Sequence, residues 1–217
     1  MKKYKNKIIA GFCILAILAV AFTFCGKISD TEKDRGVDIN RTEADINGKD
    51  KYLTGPIPDG KPKPKEPQDA VITDNELTCT LSVRCDTILD NIKQLDREKV
   101  EIVPKDGVIY AEKQVTFYEG ESVFNLLVRE MKQNKIHMEF VDTPIYNSAY
   151  IEGIANLYEF DCGELSGWMY RVNGWFPNYG CSRYELKDGD KVEWIYTCDL
   201  GRDIGGDYSA RNGKEDE

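Results

Sequence analysis

Alternating apolar and polar residues predict the strands of a folded domain that starts near residue 76. In Leu77–Cys85 every odd-numbered residue is apolar and every even-numbered one is polar, which is typical of a strand with one buried face. A second strand is predicted at Gln114–Tyr118, where β-branched and aromatic residues are concentrated. Three later segments of the same kind are His137–Val141, Trp168–Val172 and Lys191–Cys198.

One amphipathic helix is predicted between the second and third strands. Gly120 and Glu121 lead into Ser122, a residue type that favours the helix N-cap position. Apolar residues then recur at three- and four-residue spacing, and they form the face that we expect to pack on the sheet: Val123, Phe124, Leu127 and Met131.

The order of these elements predicts an α+β fold. Turns are expected at Asn173-Gly174 and at Lys187–Asp190. In the strands before the first turn and after the second, alternation gathers the large rings on one face: Trp168 and Tyr170 on one strand, Trp194 and Tyr196 on the other. The favoured interpretation is that these rings cover the helix. With the first strand central and the last beside it, the arrangement is a β-grasp (ubiquitin-like) sheet with one packed helix.

The chain divides into four predicted parts. Residues 1–25 are a signal peptide or membrane anchor, because a basic start precedes the apolar run 8–24. Retention as an anchor, cleavage and lipidation at Cys25 are all left open. Residues 26–75 form a disordered Pro/Lys-rich tether, because they are polar and hold five of the eight prolines. The folded domain spans 76–205, and 206–217 is a disordered tail.

The charge and the cysteines narrow the classes of function. A net charge of −9 argues against a nucleic-acid partner, which requires concentrated positive charge.

Five cysteines lie beyond residue 25, and export of the chain would favour disulfides among them. Two cysteines on one strand cannot pair with each other. We therefore expect the partners of Cys79 and Cys85 to be among Cys162, Cys181 and Cys198. No CxxC or HxxxH spacing indicates a metal site.

No sequence motif indicates an enzyme. Hydrolase, metalloprotease and nucleotide-binding signatures do not occur, and the single histidine, His137, lies in a predicted strand. The aspartates Asp199 and Asp203 do not have the spacing of an EF-hand loop. We expect a non-enzymatic protein that requires no cofactor.

The segment Trp175–Tyr179 is the strongest candidate for a binding site. It places four large or rigid side chains directly after the Asn173-Gly174 turn. Clustered apolar rings near a hairpin end either fill a small core or form an exposed interaction surface. The sequence leaves these two alternatives open.

Four motifs resemble the transcobalamin-like C-terminal domain, a family of bacterial surface domains similar to the smaller domain of animal cobalamin carriers. They are, in order, Gly120–Leu127, Gly167–Gly174, Pro177–Gly180 and Lys187–Trp194. The resemblance covers roughly Leu77 to Gly205. It implies the same β-grasp fold and a domain that closes over one face of a corrinoid. This chain lacks the helical barrel that supplies the other half of the carriers' clamp.

Carried over by position, the resemblance implies which residues contact the ligand. The candidates are the loop side chains Asn173, Trp175, Phe176, Asn178 and Tyr179, and the candidate ligand is cobalamin or another corrinoid. The cysteines that bracket this hairpin, Cys162 and Cys181, are then expected to form a disulfide that fixes the loop.

Two functions follow as hypotheses. The first is an extracytoplasmic module, attached to the membrane through residues 8–24, that binds a small hydrophobic ligand and feeds an importer. The second is a protein-interaction or adhesion module in which the same loop docks a second surface protein. Both place the chain on the surface of a Gram-positive cell, or outside it if the N-terminal segment is cleaved.

Overall fold

A computed structural model describes residues 50–53 and 55–206 of the protein. The predicted signal or anchor segment, residues 26–49 of the predicted tether and residues 207–217 of the tail lie outside these ranges. Within them, no helix is long and apolar enough to cross a membrane.

Seven strands and two α-helices, besides four short 3₁₀ helices, build the described part of the chain. In sequence order they are β1 (Glu76–Arg84), α1 (Thr87–Asp90), β2 (Val108–Tyr118), α2 (Val123–Gln133), β3 (Met138–Thr143), β4 (Ser148–Ile154), β5 (Leu157–Tyr158), β6 (Gly167–Val172) and β7 (Lys191–Thr197). The fold is mixed α+β, as the sequence predicts.

The larger sheet places β1 between β2 and β7, in the order β2-β1-β7-β6. β1 pairs antiparallel with β2 and parallel with β7, while β6 pairs antiparallel with β7. The prediction of a central first strand beside the last one is confirmed. All five predicted strands are present, and β2 starts six residues earlier than the sequence indicated.

A second sheet of three strands, in the order β3-β4-β5, was only partly predicted. The sequence indicated β3 but treated the region from 142 to 160 as a loose Tyr-rich stretch. β4 has buried residues at most positions rather than a simple alternation, so its pattern is weak. The β4–β5 turn at Ala155-Asn156 has positive φ at both residues without a glycine, which removes the usual hairpin signal.

The core joins side chains of α2, both sheets and the loop between β6 and β7. Trp168 is opposite Tyr196 in the β6–β7 register, and Tyr170 is opposite Trp194. All four rings are buried, which confirms that each strand gathers them on one inner face. On α2, Val123, Leu127 and Met131 are buried as predicted, and so is Leu126. Phe124 is half-buried and makes an edge contact with Phe140 of β3, 4.8 Å between ring centroids.

The start of α2 confirms the predicted cap. The Ser122 hydroxyl accepts a hydrogen bond from the Asn125 backbone N–H (3.2 Å), and the Asn125 side chain accepts one from the Ser122 backbone N–H (2.9 Å). This reciprocal pair satisfies two backbone donors that the first helical turn leaves free.

Candidate functional site

The predicted ligand loop is a tight two-residue hairpin. Asn173 and Gly174 both have positive φ (51° and 75°), and Val172 and Trp175 exchange backbone hydrogen bonds across them. The Asn173 side chain donates to Asp190 Oδ1 (2.8 Å) and accepts from the Lys191 backbone N–H (2.8 Å). Its amide therefore ties the β6 turn to the start of β7. Both polar atoms of this amide, which the sequence proposed as a ligand contact, thus have partners within the protein.

The three rings of the loop are buried. Trp175, Phe176 and Tyr179 are 7%, 6% and 6% exposed. Tyr179 stacks on Tyr184 with 6.2 Å between ring centroids, and the Arg171 guanidinium lies 5.8 Å from the centre of the Phe176 ring. Between the two alternatives that the sequence left open, burial at this level favours packing for the rings themselves.

Part of this cover comes from the segment predicted as a tether. We call residues 50–53 and 55–66 the strap. Leu53 and Ile57 pack against the core. The Tyr179 hydroxyl donates to the Pro62 carbonyl (2.8 Å), and the Asn178 side chain donates to the Gly55 carbonyl (2.9 Å). A disordered tether was expected to make no such contacts.

A cavity of about 310 Å³ lies beside the loop, between β4 and the inner face of β6 and β7. Its wall is mainly aromatic and aliphatic, and the volume is at the lower end of the range for small-molecule sites. Of the five predicted ligand residues, only Asn178 and Tyr179 line it. The other lining rings are Tyr52 of the strap, Tyr146, Tyr150, Trp168, Tyr170 and Trp194.

Two residues that line the cavity each carry a buried polar atom with no hydrogen-bond partner among the described residues. They are Trp194, with the donor Nε1, and Asn178, with the acceptor Oδ1. Trp194 is 2% exposed, so bulk solvent does not reach its indole N–H. Trp168 differs, because its Nε1 donates to the Leu157 carbonyl at 2.8 Å. An unpaired buried N–H is costly and therefore rare, which makes Trp194 a candidate contact for a bound acceptor.

A second apolar cavity, of about 550 Å³, adjoins the first. The two share Tyr150, Trp168 and Met169 as lining residues, so they are neighbours along β6, and we call the pair the cleft. Large apolar side chains at the outer end are exposed: Phe160 by 62% and Leu200 by 57%. Both residues have positive φ (68° and 48°), a conformation that costs free energy for residues other than glycine.

The cysteines do not lie as the sequence suggested. All five described cysteines are free thiols. Cys181 Sγ contacts the Ala149 carbonyl (3.5 Å), whereas Cys162 Sγ contacts the Asn91 carbonyl (3.5 Å). The Cys162 thiol shares a hydrogen bond with the Cys198 thiol. Burial raises the pKa of both thiols. The shared hydrogen bond lowers the pKa of Cys162 and adds to the rise for Cys198, whose pKa is about 12. The structure thus pairs Cys162 with Cys198 rather than with Cys181.

The ionisable groups of the described residues include the single histidine of the chain. His137 is exposed, with its Nε2 3.4 Å from a Glu139 carboxylate oxygen. Among these residues, no group of three or more His, Cys, Asp and Glu side chains is placed to hold a metal ion. Burial raises the pKa of the cavity-lining Tyr179, so its hydroxyl stays protonated and donates to the Pro62 carbonyl of the strap. The cleft therefore offers a ligand mainly apolar contacts.

Of the hairpin residues that the sequence proposed as ligand contacts, the structure places the C-terminal pair, Asn178 and Tyr179, at the cleft. Trp168 and Trp194 were read as core and are also cavity wall, because an inner face at the edge of a sheet serves both purposes. The β4 residues that complete the wall had no strand signal. No feature of residues 50–53 marked Tyr52 as a lining residue.

Comparisons with known proteins give the following matches. The family described as "Domain of unknown function (DUF4430)" matches residues 120–197. No curated protein sequence matches the chain. The structure of haptocorrin in complex with Cbi is similar with a TM-score of 0.43 and 15% identity, over 58% of this chain and 26% of haptocorrin. The chain thus spans about a quarter of that protein.

A protein from Ruminococcus gnavus ATCC 29149, whose description proposes metal binding, is similar with a TM-score of 0.34 and 15% identity. The match covers 56% of this chain and 96% of that one. At these scores neither likeness establishes a shared fold or a shared ligand.

Proposed function

We propose that this chain is a non-enzymatic binding module that holds a small, mainly apolar molecule in the cleft along β6. The observation that carries the proposal is the aromatic cavity whose wall contains the unpaired donor Trp194 Nε1. Concave, largely apolar sites with a few polar groups are the usual form of small-molecule sites.

The wall defines the chemistry of the ligand. Rings on several sides favour a flat or alicyclic hydrophobic body. Trp194 Nε1 calls for one hydrogen-bond acceptor on that body, such as a carbonyl or carboxylate oxygen. Asn178 Oδ1 calls for a donor, such as an amide N–H, at the end near the strap.

A corrinoid is the first candidate, because the sequence motifs resemble the transcobalamin-like domain. A whole corrinoid is too large for the 310 Å³ cavity alone. It would have to lie along both cavities, with an edge or an amide side chain in the inner one. The β-grasp fold, the location outside the cytoplasm and attachment to a membrane through residues 8–24 belong to the same proposal.

A second candidate function, docking of a partner protein, is favoured by the exposed side chains at the outer end of the cleft. Phe160, Leu165 and Leu200 are 62%, 41% and 57% exposed. Contiguous exposed apolar side chains are typical of interaction sites. The partner's surface would then be apolar and would cover the outer cavity.

Equilibrium dialysis of the full chain against cobalamin tests the first proposal. A matched pair of variants locates the site: Ala149→Leu adds bulk to the cavity wall, whereas Tyr110→Phe removes a buried hydrogen bond to Glu130 (2.6 Å) away from the cleft. We expect saturable binding that Ala149→Leu weakens at least about ten-fold, equivalent to about 1.4 kcal/mol, and that Tyr110→Phe retains. Absence of binding at millimolar cobalamin would refute the corrinoid assignment.

A further inference from the structure

Half-buried and exposed side chains alternate along part of the strap. In the run 61–66, the prolines and Glu66 are half-buried, and the three lysines between them are exposed. An extended chain places successive side chains on opposite sides, so this pattern arises when one side rests on a surface. A solvated spacer would have no preferred side.

Loop 173–180 supplies hydrogen-bond donors for the carbonyls of a proline-rich segment. Proline has no backbone N–H, so such a segment cannot join a sheet on both sides, and its carbonyls remain free acceptors. Tyr179 Oη and Asn178 Nδ2 donate to two of these carbonyls, those of Pro62 and Gly55. The Lys61 ammonium also lies 5.4 Å from the centre of the Trp175 ring. Aromatic rings with hydrogen-bond donors between them are the common recognition surface for proline-rich peptides.

A buried arginine fixes both ends of the strap. The Arg183 side chain is fully buried, and its Nη2 lies 2.5 Å from a carboxylate oxygen of Asp50 and 2.6 Å from one of Glu66. Its guanidinium is 5.0 Å from the centre of the Tyr52 ring, and its carbonyl accepts a hydrogen bond from the Lys65 N–H (2.9 Å). A buried charge requires partners, and both carboxylates that pair with Arg183 among the described residues belong to the strap.

We infer that loop 173–180 and Arg183 form a recognition surface for a proline-rich peptide with flanking carboxylates, and that the chain fills this surface with its own strap. The inference does not depend on the proposed ligand of the cleft. Only residues 67–75 separate the strap from β1. A short linker of this kind gives an effective concentration on the order of millimolar, so the strap outcompetes a dilute free peptide.

The test uses the full chain and a labelled synthetic peptide of residues 50–66. The variant Asp50→Asn/Glu66→Gln removes both carboxylates from the strap and leaves Arg183 in place. Fluorescence anisotropy should show that the peptide binds this variant at least about ten-fold more tightly than the wild-type chain. A control peptide carrying the same two amides should bind neither protein within the same concentration range.

Tryptic cleavage after Lys51 and Lys65 measures strap release independently, since Lys61 and Lys63 precede prolines and resist trypsin. Cleavage should be at least ten-fold faster in the double variant, because it follows the population of the open form. A gentler variant, Tyr179→Phe, removes one hydrogen bond and no charge, and should accelerate cleavage about five-fold. Near-ultraviolet circular dichroism confirms that each variant is folded.

Two results would overturn the inference. Equal cleavage rates in the wild-type chain and both folded variants would mean that the strap is not held by these contacts. Equal peptide affinity for wild type and the double variant, or no binding to either, would mean that the surface does not recognise the segment. Loss of cobalamin binding alone would leave the inference unaffected and count only against the proposed function.

Discussion

Replacing Trp194 by phenylalanine separates a structural role of its indole from a ligand-binding one. The N–H of Trp194 is buried and has no partner among the described residues, and burial of an unpaired donor costs about 1–3 kcal/mol. Phenylalanine removes that donor. It also removes about 40 Å³ of side chain, which at about 24 cal/mol per Å³ of cavity costs about 1 kcal/mol. The two effects oppose each other, so the free energy of unfolding should rise by about 0–2 kcal/mol.

The same substitution at Trp168 is the matched control for stability. Trp168 loses the same volume, but it also loses the 2.8 Å hydrogen bond to the Leu157 carbonyl. The expected loss is therefore about 2–3 kcal/mol. Urea denaturation of wild type and both variants measures the difference. If Trp194→Phe destabilises the chain as much as Trp168→Phe, the Trp194 N–H has a structural partner and the reasoning is wrong.

At Trp194, replacement by phenylalanine should weaken ligand binding without lowering stability. The loss of one hydrogen bond of about 1 kcal/mol predicts that Trp194→Phe binds cobalamin about five-fold more weakly, although the variant is at least as stable as wild type. Unchanged affinity would exclude Trp194 Nε1 as a ligand contact.

Three further predictions concern the fold. Ser122→Ala should lower the free energy of unfolding by about 1 kcal/mol in urea denaturation, because the α2 cap is lost; no loss would contradict that role. Burial raises the pKa of Glu193, but hydrogen bonds from Arg171 and its charge outweigh this and hold the pKa below 4.5. The pair therefore stabilises the fold above pH 4.5 and loses this effect as pH falls through the lowered pKa, so Glu193→Gln should flatten the pH dependence of unfolding there; an unchanged curve would contradict it. Oxidised glutathione, reduced to two thiols, should join Cys162 to Cys198 in a disulfide, and peptide mapping that instead finds Cys162 joined to Cys181 would contradict the observed geometry.

Local patterns predicted most of the fold because each carries its physical cause within a few residues. The alternation in β1 is visible in Leu77–Cys85, and the α2 cap is visible in Ser122. The inner faces of β6 and β7 follow from alternation alone. β4 lacked this signal, since most of its positions are buried and its turn has no glycine.

The strap and the cysteine contact depend on residues far apart in the chain. The proline–lysine run has the composition of a spacer, and only the surface that it meets decides whether it docks. Arg183 is separated by more than a hundred residues from Asp50 and Glu66. No spacing rule connects them, just as none connects Cys162 with Cys198.

The indole N–H signals of the full ¹⁵N-labelled chain test ligand binding in the cleft most directly. The chain has three tryptophans, so three signals are expected, and Trp194→Phe identifies one of them. We predict that cobalamin, or a member of a panel of aromatic and alicyclic carbonyl compounds, shifts the Trp194 signal and slows its hydrogen exchange. If none of these compounds at millimolar concentration moves that signal, the cleft is not a binding site for an acceptor-bearing apolar ligand.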